Sequence, residues 1–325
     1  MTTEEFFKTL ASKIELTQSE ADKIAKKHNW IREKLREKLP VEDDFLTGSY
    51  ARNTIIRPKD DKKFDVDFFL SFNKEDYGES ELADLLKIVK VALDEIKSSD
   101  PNIEKIDDKQ RRSIGVIYKD NFQIDVVPAV QIEKDKLYKI FDKRTQIAVN
   151  SNPKLHGKNL TTANDITSSN STKRLVPIVK MLKSWRREKC DYLKSFHLEL
   201  LVVKTLKDEE ITSYSTGIAK FFNSVDIQSS LTDPANAKNI IDTYLDEDGT
   251  RDDLLSLITT ERKIANEAIE LEKNSDDDGA VAKWKNIFEP NNNDGKNTSY
   301  RPITTDPIFV NRTPSKPWCN VRFNY

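Results

Sequence analysis

Residues 45–70, FLTGSYARNTIIRPKDDKKFDVDFFL, constrain the fold more than any other stretch of the chain. One apolar run ends in Gly48-Ser49, and a second carries Asp65 and Asp67. Residues i and i+2 of a strand share a face, so Asp65 and Asp67 project together while Val66 turns to the opposite side. Two carboxylates held that close repel each other unless positive charge lies between them. A hard divalent cation with oxygen ligands suits the pair, and Mg²⁺ usually arrives with substrate phosphates. The Gly48-Ser49 step supplies the complement. Glycine allows close approach of backbone to ligand, the N–H groups of a tight turn can face an anion, and Ser49 adds a hydroxyl donor.

A third carboxylate lies in FQIDVVPAV, residues 122–130, where Asp125 is the one charge in a run that reads as a buried strand. An acid in an apolar strand is costly unless paired or coordinated. Taken alone, Asp125 is equally explained by capping a loop or pairing with Arg111 or Arg112. Beside the Asp-Val-Asp strand and the Gly-Ser turn, the ligand reading is the stronger one.

The ordered set GSYARNT, DVD and IDVVPA resembles the polymerase-β-like nucleotidyltransferases. Within them it is most similar to the branch holding the 2′-5′-oligoadenylate synthases, cyclic GMP-AMP synthase and the bacterial second-messenger oligonucleotide synthases. The spacing between Ser49 and Asp65 is longer than is usual there, and the extra residues around PKDDKK (58–63) read as a solvated hairpin tip. The resemblance continues in MLKSW and KSFHLELLVVKTL. In that branch a lysine before a tryptophan meets the triphosphate, and a serine beside an aromatic contacts phosphate and stacks the base. Here those positions are Lys183, Ser195 and Phe196. By spacing alone Lys183 reads as a surface lysine and Phe196 as ordinary core. The likeness covers roughly residues 40–290 and is weakest in the tail.

At 325 residues the chain is long enough for two domains with their own cores. A formal net charge of −2, with 33% charged residues, gives no global attraction to nucleic acid or to an anionic membrane. Cys190 and Cys319 are too few for a disulfide framework or a zinc site. His28, His156 and His197 are scattered. No apolar run reaches membrane-spanning length and no signal peptide is evident, so a soluble cytoplasmic protein is expected.

Residues 3–39 read as helical, with a capping box at Thr17-Gln-Ser-Glu20 and a stop at Pro40. Ala21, Ile24, Ala25, His28, Ile31, Leu35 and Leu39 form an apolar stripe, on which His28 reads as a packed histidine. The opposite, basic face is interrupted by Glu33 and Glu37, which favours a solvated face over a nucleic-acid ridge. Residues 41–130 read as a catalytic lobe with a mixed sheet, 131–170 as a polar connector, and the chain from 171 as helical. Asp233-Pro234 reads as a structural turn. The tail (290–325) carries enough aromatics to suggest packing onto the body. The expected architecture is α+β and two-lobed, with a catalytic core at 1–165, including a long N-terminal helix, and a nucleotide-binding helical lobe with its tail at 166–325.

The resemblance implies metal-dependent nucleotidyl transfer with two Mg²⁺ ions, or Mn²⁺, held by Asp65, Asp67 and Asp125. Gly48, Ser49, Lys183, Ser195 and Phe196 would bind substrate. The expected activity joins NTPs into a cyclic di- or trinucleotide messenger of anti-phage signalling, which a separate effector protein senses. The zinc-ligand cluster of the animal DNA sensor and a strongly basic groove are both missing from the sequence, so no nucleic-acid activator is expected. Two alternatives stand beside this reading. A transferase extending RNA 3′ ends, of the CCA-adding type, should carry a basic docking surface. A catalytically silent nucleotide-binding module should have lost one of the three acids.

Overall fold

The computed structural model describes residues 1–59, 63–78, 81–247 and 249–289. Residues 60–62, half of the hairpin tip, and the tail from 290 therefore lie outside the described residues. The N-terminal region is two helices, α1 (Thr3–Ile14) and α2 (Gln18–Lys38), each opened by a capping box. At the second, Glu20 N–H donates to the Thr17 hydroxyl at 3.2 Å and Thr17 N–H donates to the Glu20 carboxylate at 2.7 Å. Two amides left over by the helix geometry are satisfied reciprocally, so the break between the helices is written locally.

Seven strands form one sheet, in the order β1 (Asp43–Leu46), β2 (Phe64–Asn73), β5 (Phe122–Glu133), β4 (Ile114–Tyr118) and β3 (Ile103–Asp107). β6 (Leu137–Asp142) pairs with β5, and β7 (Ile147–Ser151) pairs with β6. β2 and β5 are parallel, joined through α4 (Leu82–Ser99) and the β3–β4 hairpin, and the other pairs are antiparallel. Alternation sorts the two central strands cleanly. Val66, Phe68 and Leu70 join Ile124 and Val126 beneath α2 and α4, against Ile31, Leu35, Leu85 and Val89. Phe69, Val127 and Ala129 take the other face and close a smaller cluster with Tyr138 and Ile140. The three aspartates lie on that second face.

Residues 131–170 are not a connector. They hold the end of β5, then β6, β7 and α5 (Pro153–Ile166). β6 alternates half-buried and buried positions, and β7 at the sheet edge buries none of its side chains fully, so their apolar content is too low to stand out in sequence. Arg111 and Arg112 are not the partners of Asp125. They precede β4 and clamp the buried carboxylate of Asp142, at 2.6 and 2.8 Å. The basic face of α2 is also largely paired. Arg32 and Arg36 bind the buried Asp44 of β1, Lys27 binds Asp120 and Lys38 binds Glu95. His28 is packed as expected, 4% exposed, its ring 5.8 Å from that of Tyr50.

The helical half comprises α5, α6 (Leu175–Lys189), α7 (Ser195–Leu206), α8 (Tyr214–Ser224), a small hairpin of β8 (Thr232–Asp233) and β9 (Asn236–Ile240), a 3₁₀ turn at Thr243–Asp246, α9 (Thr250–Lys273) and α10 (Asp277–Phe288). Its apolar cluster includes Trp185, Leu198, Phe222, Ala265 and Trp284, and also Phe6, Phe7, Leu10 and Ile14 of α1. By packing, α1 belongs with the helical half and α2 with the sheet. Asp233 makes the expected turn by accepting from Ala235 N–H at 2.8 Å. Among the described residues no helix is long and apolar enough to cross a membrane.

Candidate active site

β2 and β5 run side by side with Asp67 directly opposite Asp125 and Asp65 opposite Gln123. Parallel pairing thus places all three aspartates at one end of one sheet face. Each offers a carboxylate oxygen, and these oxygens lie within 4.8 Å of one another. Asp125 is 8% exposed, Asp67 is intermediate and Asp65 opens toward solvent. Protein crowded around the carboxyl groups, even at Asp65 with its side open to solvent, and then repulsion from neighbouring carboxylates raise the pKa of Asp65 and of Asp67, the latter partly offset by the positive charge of Arg52. Asp125 is raised chiefly by burial, against two amide donors that favour its ionised form. Those donors are Gln110 Nε2 at 2.8 Å and Gln123 Nε2 at 2.9 Å, both on Oδ1. Three converging carboxylates pushed away from ionisation are a donor set that fits a hard divalent cation, which would restore the charged form of each.

Gly48 opens a single helical turn, α3 (Gly48–Ala51), with φ of +67°. A Cβ at this position would fall 1.9 Å from Asp67 Oδ2, so only glycine fits both the backbone conformation and the neighbour. Thr47 N–H donates to the Asp67 carbonyl at 2.9 Å, and Ser49 O accepts from Thr54 and Ile55 N–H at 2.8 and 3.1 Å. The turn is therefore stitched directly onto the acid-bearing strand.

A cavity of about 300 Å³ lies between the halves, with Ser49 and Asp65 on one side and Lys183, Arg186, Arg187 and Ser195 on the other. A larger groove of about 750 Å³ is formed by α9 and α10 alone and carries none of the three aspartates. Ser195 is the first residue of α7. Phe196 follows it, half-buried, its ring centre 5.2 Å from the Arg52 guanidinium and 5.0 Å from the His156 ring. The start of α7 is propped by Tyr244, whose hydroxyl accepts from Lys194 N–H and meets His197 Nδ1, each at 2.8 Å. Lys183 is 3% exposed and bonded to Thr54 and Glu199.

The candidate site residues named from the sequence lie in this region. The three aspartates converge, Gly48 packs on Asp67, and Ser49, Lys183 and Ser195 share the cavity. Phe196 does not line the cavity; its ring lies against Arg52, which is linked to Lys183 through Glu199. Several participants went unnamed. Arg186 and Arg187 follow Lys183 by three and four residues and so fall on the same helix face, a spacing the sequence carried openly. Gln123 lies two residues before Asp125 and necessarily shares its face. Glu199 interrupts the apolar run LELLVV just as Asp125 interrupts its strand. Gln110 gave no signal.

The family model for the Second Messenger Oligonucleotide or Dinucleotide Synthetase domain matches residues 1–164. Over 314 residues, 89% of this chain and 84% of the relative, the sequence is 28% identical to a protein named cyclic AMP-AMP-AMP synthase from an Acinetobacter strain. Two solved structures share the fold at low identity. Vibrio cholerae DncV, a cyclic AMP-GMP synthase in complex with a linear intermediate, superposes with a TM-score of 0.70 at 13% identity, covering 89% of this chain and 96% of that one. Escherichia coli MS115-1 CdnC with ATP superposes with a TM-score of 0.67 at 17% identity, covering 88% and 97%. With the family match spanning half the sequence, the chain belongs to the Second Messenger Oligonucleotide or Dinucleotide Synthetase family, and is a polymerase-β-like nucleotidyltransferase of the cyclic-oligonucleotide-synthase kind.

Proposed function

We propose that this enzyme joins NTPs into a cyclic di- or trinucleotide, releasing pyrophosphate, in a reaction that depends on Mg²⁺ or Mn²⁺. The observation that carries the reading is the convergence of Asp65, Asp67 and Asp125 beside the Gly48 turn and a basic cavity. Bound divalent cations, held by the three carboxylates, would supply Lewis-acid stabilisation of the attacking and leaving oxygens.

The chain's own groups do the rest. Both amide donors of Asp125 fall on Oδ1, which leaves Oδ2 as the oxygen that can take the proton of an incoming ribose hydroxyl. Ser49 and the turn that carries it face the triphosphate from the sheet side, and Ser195 faces it from the start of α7. Lys183, Arg186 and Arg187 add fixed positive charge where negative charge builds in the transition state. Phe196 offers a planar face to the base. Holding the triphosphate from both halves aligns the α-phosphorus with its nucleophile, and such positioning contributes much of the rate in phosphoryl chemistry. In this scheme the sheet with α2 and α4 is the catalytic part, and the helical half binds nucleotide.

The name of the Acinetobacter relative makes ATP the first substrate to try. By its resemblance to bacterial messenger synthases, the product would serve in anti-phage signalling, where a separate effector protein would read it. Purified enzyme incubated with labelled NTPs and Mg²⁺ should give small products that resist phosphatase, and a mass spectrum of them fixes base and ring size. Asp65→Ala with Asp67→Ala should abolish those products while the protein still melts cooperatively. Incorporation only into added tRNA, or NTP binding without turnover, would displace this reading.

A further inference from the structure

Lys183 raises a difficulty of stoichiometry. An ammonium has three hydrogens to donate. Lys183 Nζ lies 2.7 Å from Glu199 Oε2, 2.8 Å from Thr54 Oγ1 and 3.2 Å from Thr54 O, so all three have acceptors within the protein. Glu199 is equally committed. Its Oε2 also accepts from Thr54 Oγ1 at 2.7 Å, and its Oε1 accepts from Arg52 Nε at 2.5 Å. The side chains of Lys183, Glu199 and Arg52 are 4%, 2% and 8% exposed. Two cations therefore share one buried anion, and charges so far removed from water are tolerated only when paired and hydrogen-bonded. Burial would push the Glu199 carboxyl up, but Lys183 and Arg52 outweigh it and hold the carboxyl at about 2.

The network spans the molecule at a telling place. Arg52 and Thr54 follow the Gly48-Ser49 turn, whereas Lys183 and Glu199 belong to α6 and α7. Arg52 also reaches in two further directions. Its guanidinium lies over the Phe196 ring, and its positive charge is felt at Asp67. One carboxylate thus reaches the cavity through Lys183 and the Phe196 ring through Arg52.

We propose that Glu199 is a positioning residue for the donor nucleotide: it locks Lys183, as a fixed buried charge, and Arg52, as the backing of Phe196, into one arrangement that ties the two halves together. Lys183 then acts on the triphosphate by its field, and hydrogen bonds to the phosphates come from groups with donors left over, such as Ser49, Ser195 and the remaining N–H groups of Arg187. This rests on the proposed NTP-joining reaction for its catalytic consequence, but the lock is testable without turnover.

The experiment measures three things on the full chain: affinity for a nonhydrolysable ATP analogue with Mg²⁺, kcat and KM for ATP, and thermal unfolding. Glu199→Gln keeps the shape but turns an N–H toward a cation. Analogue affinity and kcat/KM should both fall about tenfold or more, since removing one partner of a buried charge pair is costly. Arg52→Gln should weaken the analogue similarly, and the double variant should be little worse than the worse single, because the two residues act as one unit. Should Glu199→Gln not fold, Glu199→Asp keeps the charge but retracts the carboxylate by one methylene, and KM should rise in a protein that still melts cooperatively. A purely structural role predicts a lower melting temperature with analogue affinity and KM unchanged in the folded variant, and that result overturns the proposal. So does strict additivity of Arg52→Gln and Glu199→Gln in analogue binding. If the wild type turns over no NTP while analogue binding shows the non-additive loss, the activity reading fails and the lock stands.

Discussion

Gly48 shows how one residue can carry a site. Its positive φ and the 1.9 Å approach that any Cβ would make to Asp67 Oδ2 bind the turn and the acid into a single unit. Replacing it with alanine must either shift the turn, and with it Ser49, or push Asp67 out of line with Asp65 and Asp125. Gly48→Ala should therefore lower kcat/KM by about a hundredfold, the scale on which displaced catalytic groups are felt. The loss should appear in steady-state rates with ATP while the protein still melts cooperatively. A variant within a few fold of wild type would mean that the turn and Asp67 are not coupled as their packing indicates. Asp125 has a related dependence on Gln123, whose amide fixes which carboxylate oxygen is left for chemistry. Gln123→Leu removes one of two donors and should reduce kcat more than KM, because it misorients the proton acceptor without touching the cavity.

At the scale of elements, the start of α7 is held by the 3₁₀ turn at Thr243–Asp246. The Tyr244 hydroxyl accepts from Lys194 N–H and shares a hydrogen bond with His197 Nδ1, whose direction follows the imidazole tautomer. Burial depresses the pKa of His197 to about 4, so the ring is neutral at ordinary pH. Tyr244→Phe leaves the exposed Lys194 N–H to water and the buried His197 ring nitrogen without its partner, a cost of about 1–3 kcal/mol. Because Ser195 and Phe196 are the next residues, KM for ATP should rise along with the loss of stability, as chemical denaturation and rate measurements on one preparation can show. This layer was only partly legible in the sequence. Asp65, Asp67 and Asp125 stood out because strand alternation and an acid in an apolar run are local signals. The capping box of α2 was legible for the same reason. β6 and β7 were not, since partly exposed edge strands alternate too weakly. Arg111 and Arg112 could be weighed only against Asp125 because their partner, Asp142, lies some thirty residues onward, and such pairing is fixed by sheet register, not by neighbouring sequence. The allegiance of α1 to the helical half likewise depends on Phe6 and Phe7 meeting residues such as Trp284 far along the chain.

For the whole molecule, two sets of buried groups oppose each other in how stability responds to pH. His28 and His197 both have pKa values lowered to about 4, chiefly by burial, against a usual value near 6.5. Between those values the unfolded chain binds protons that the folded one rejects, so their contribution makes stability rise with pH and then level off. Asp65, Asp67 and Asp125 are shifted the other way, first by burial and, for Asp65 and Asp67, then by the charge of neighbouring carboxylates. Above the ordinary carboxylate range the folded protein retains protons that the unfolded chain has released, and their contribution makes stability fall as pH rises. A divalent cation in the site replaces those protons and removes the fall. Unfolding midpoints followed from pH 5 to pH 9 should therefore level off or decline toward the alkaline end in EDTA, and hold their plateau in saturating Mg²⁺. Asp65→Asn with Asp67→Asn should erase the difference between the two curves, while His28→Leu should flatten the acid limb in both. Superimposable wild-type curves with and without Mg²⁺ would mean that the three carboxylates do not share a cation, and the chemistry assigned to this end of the sheet would have to be given up.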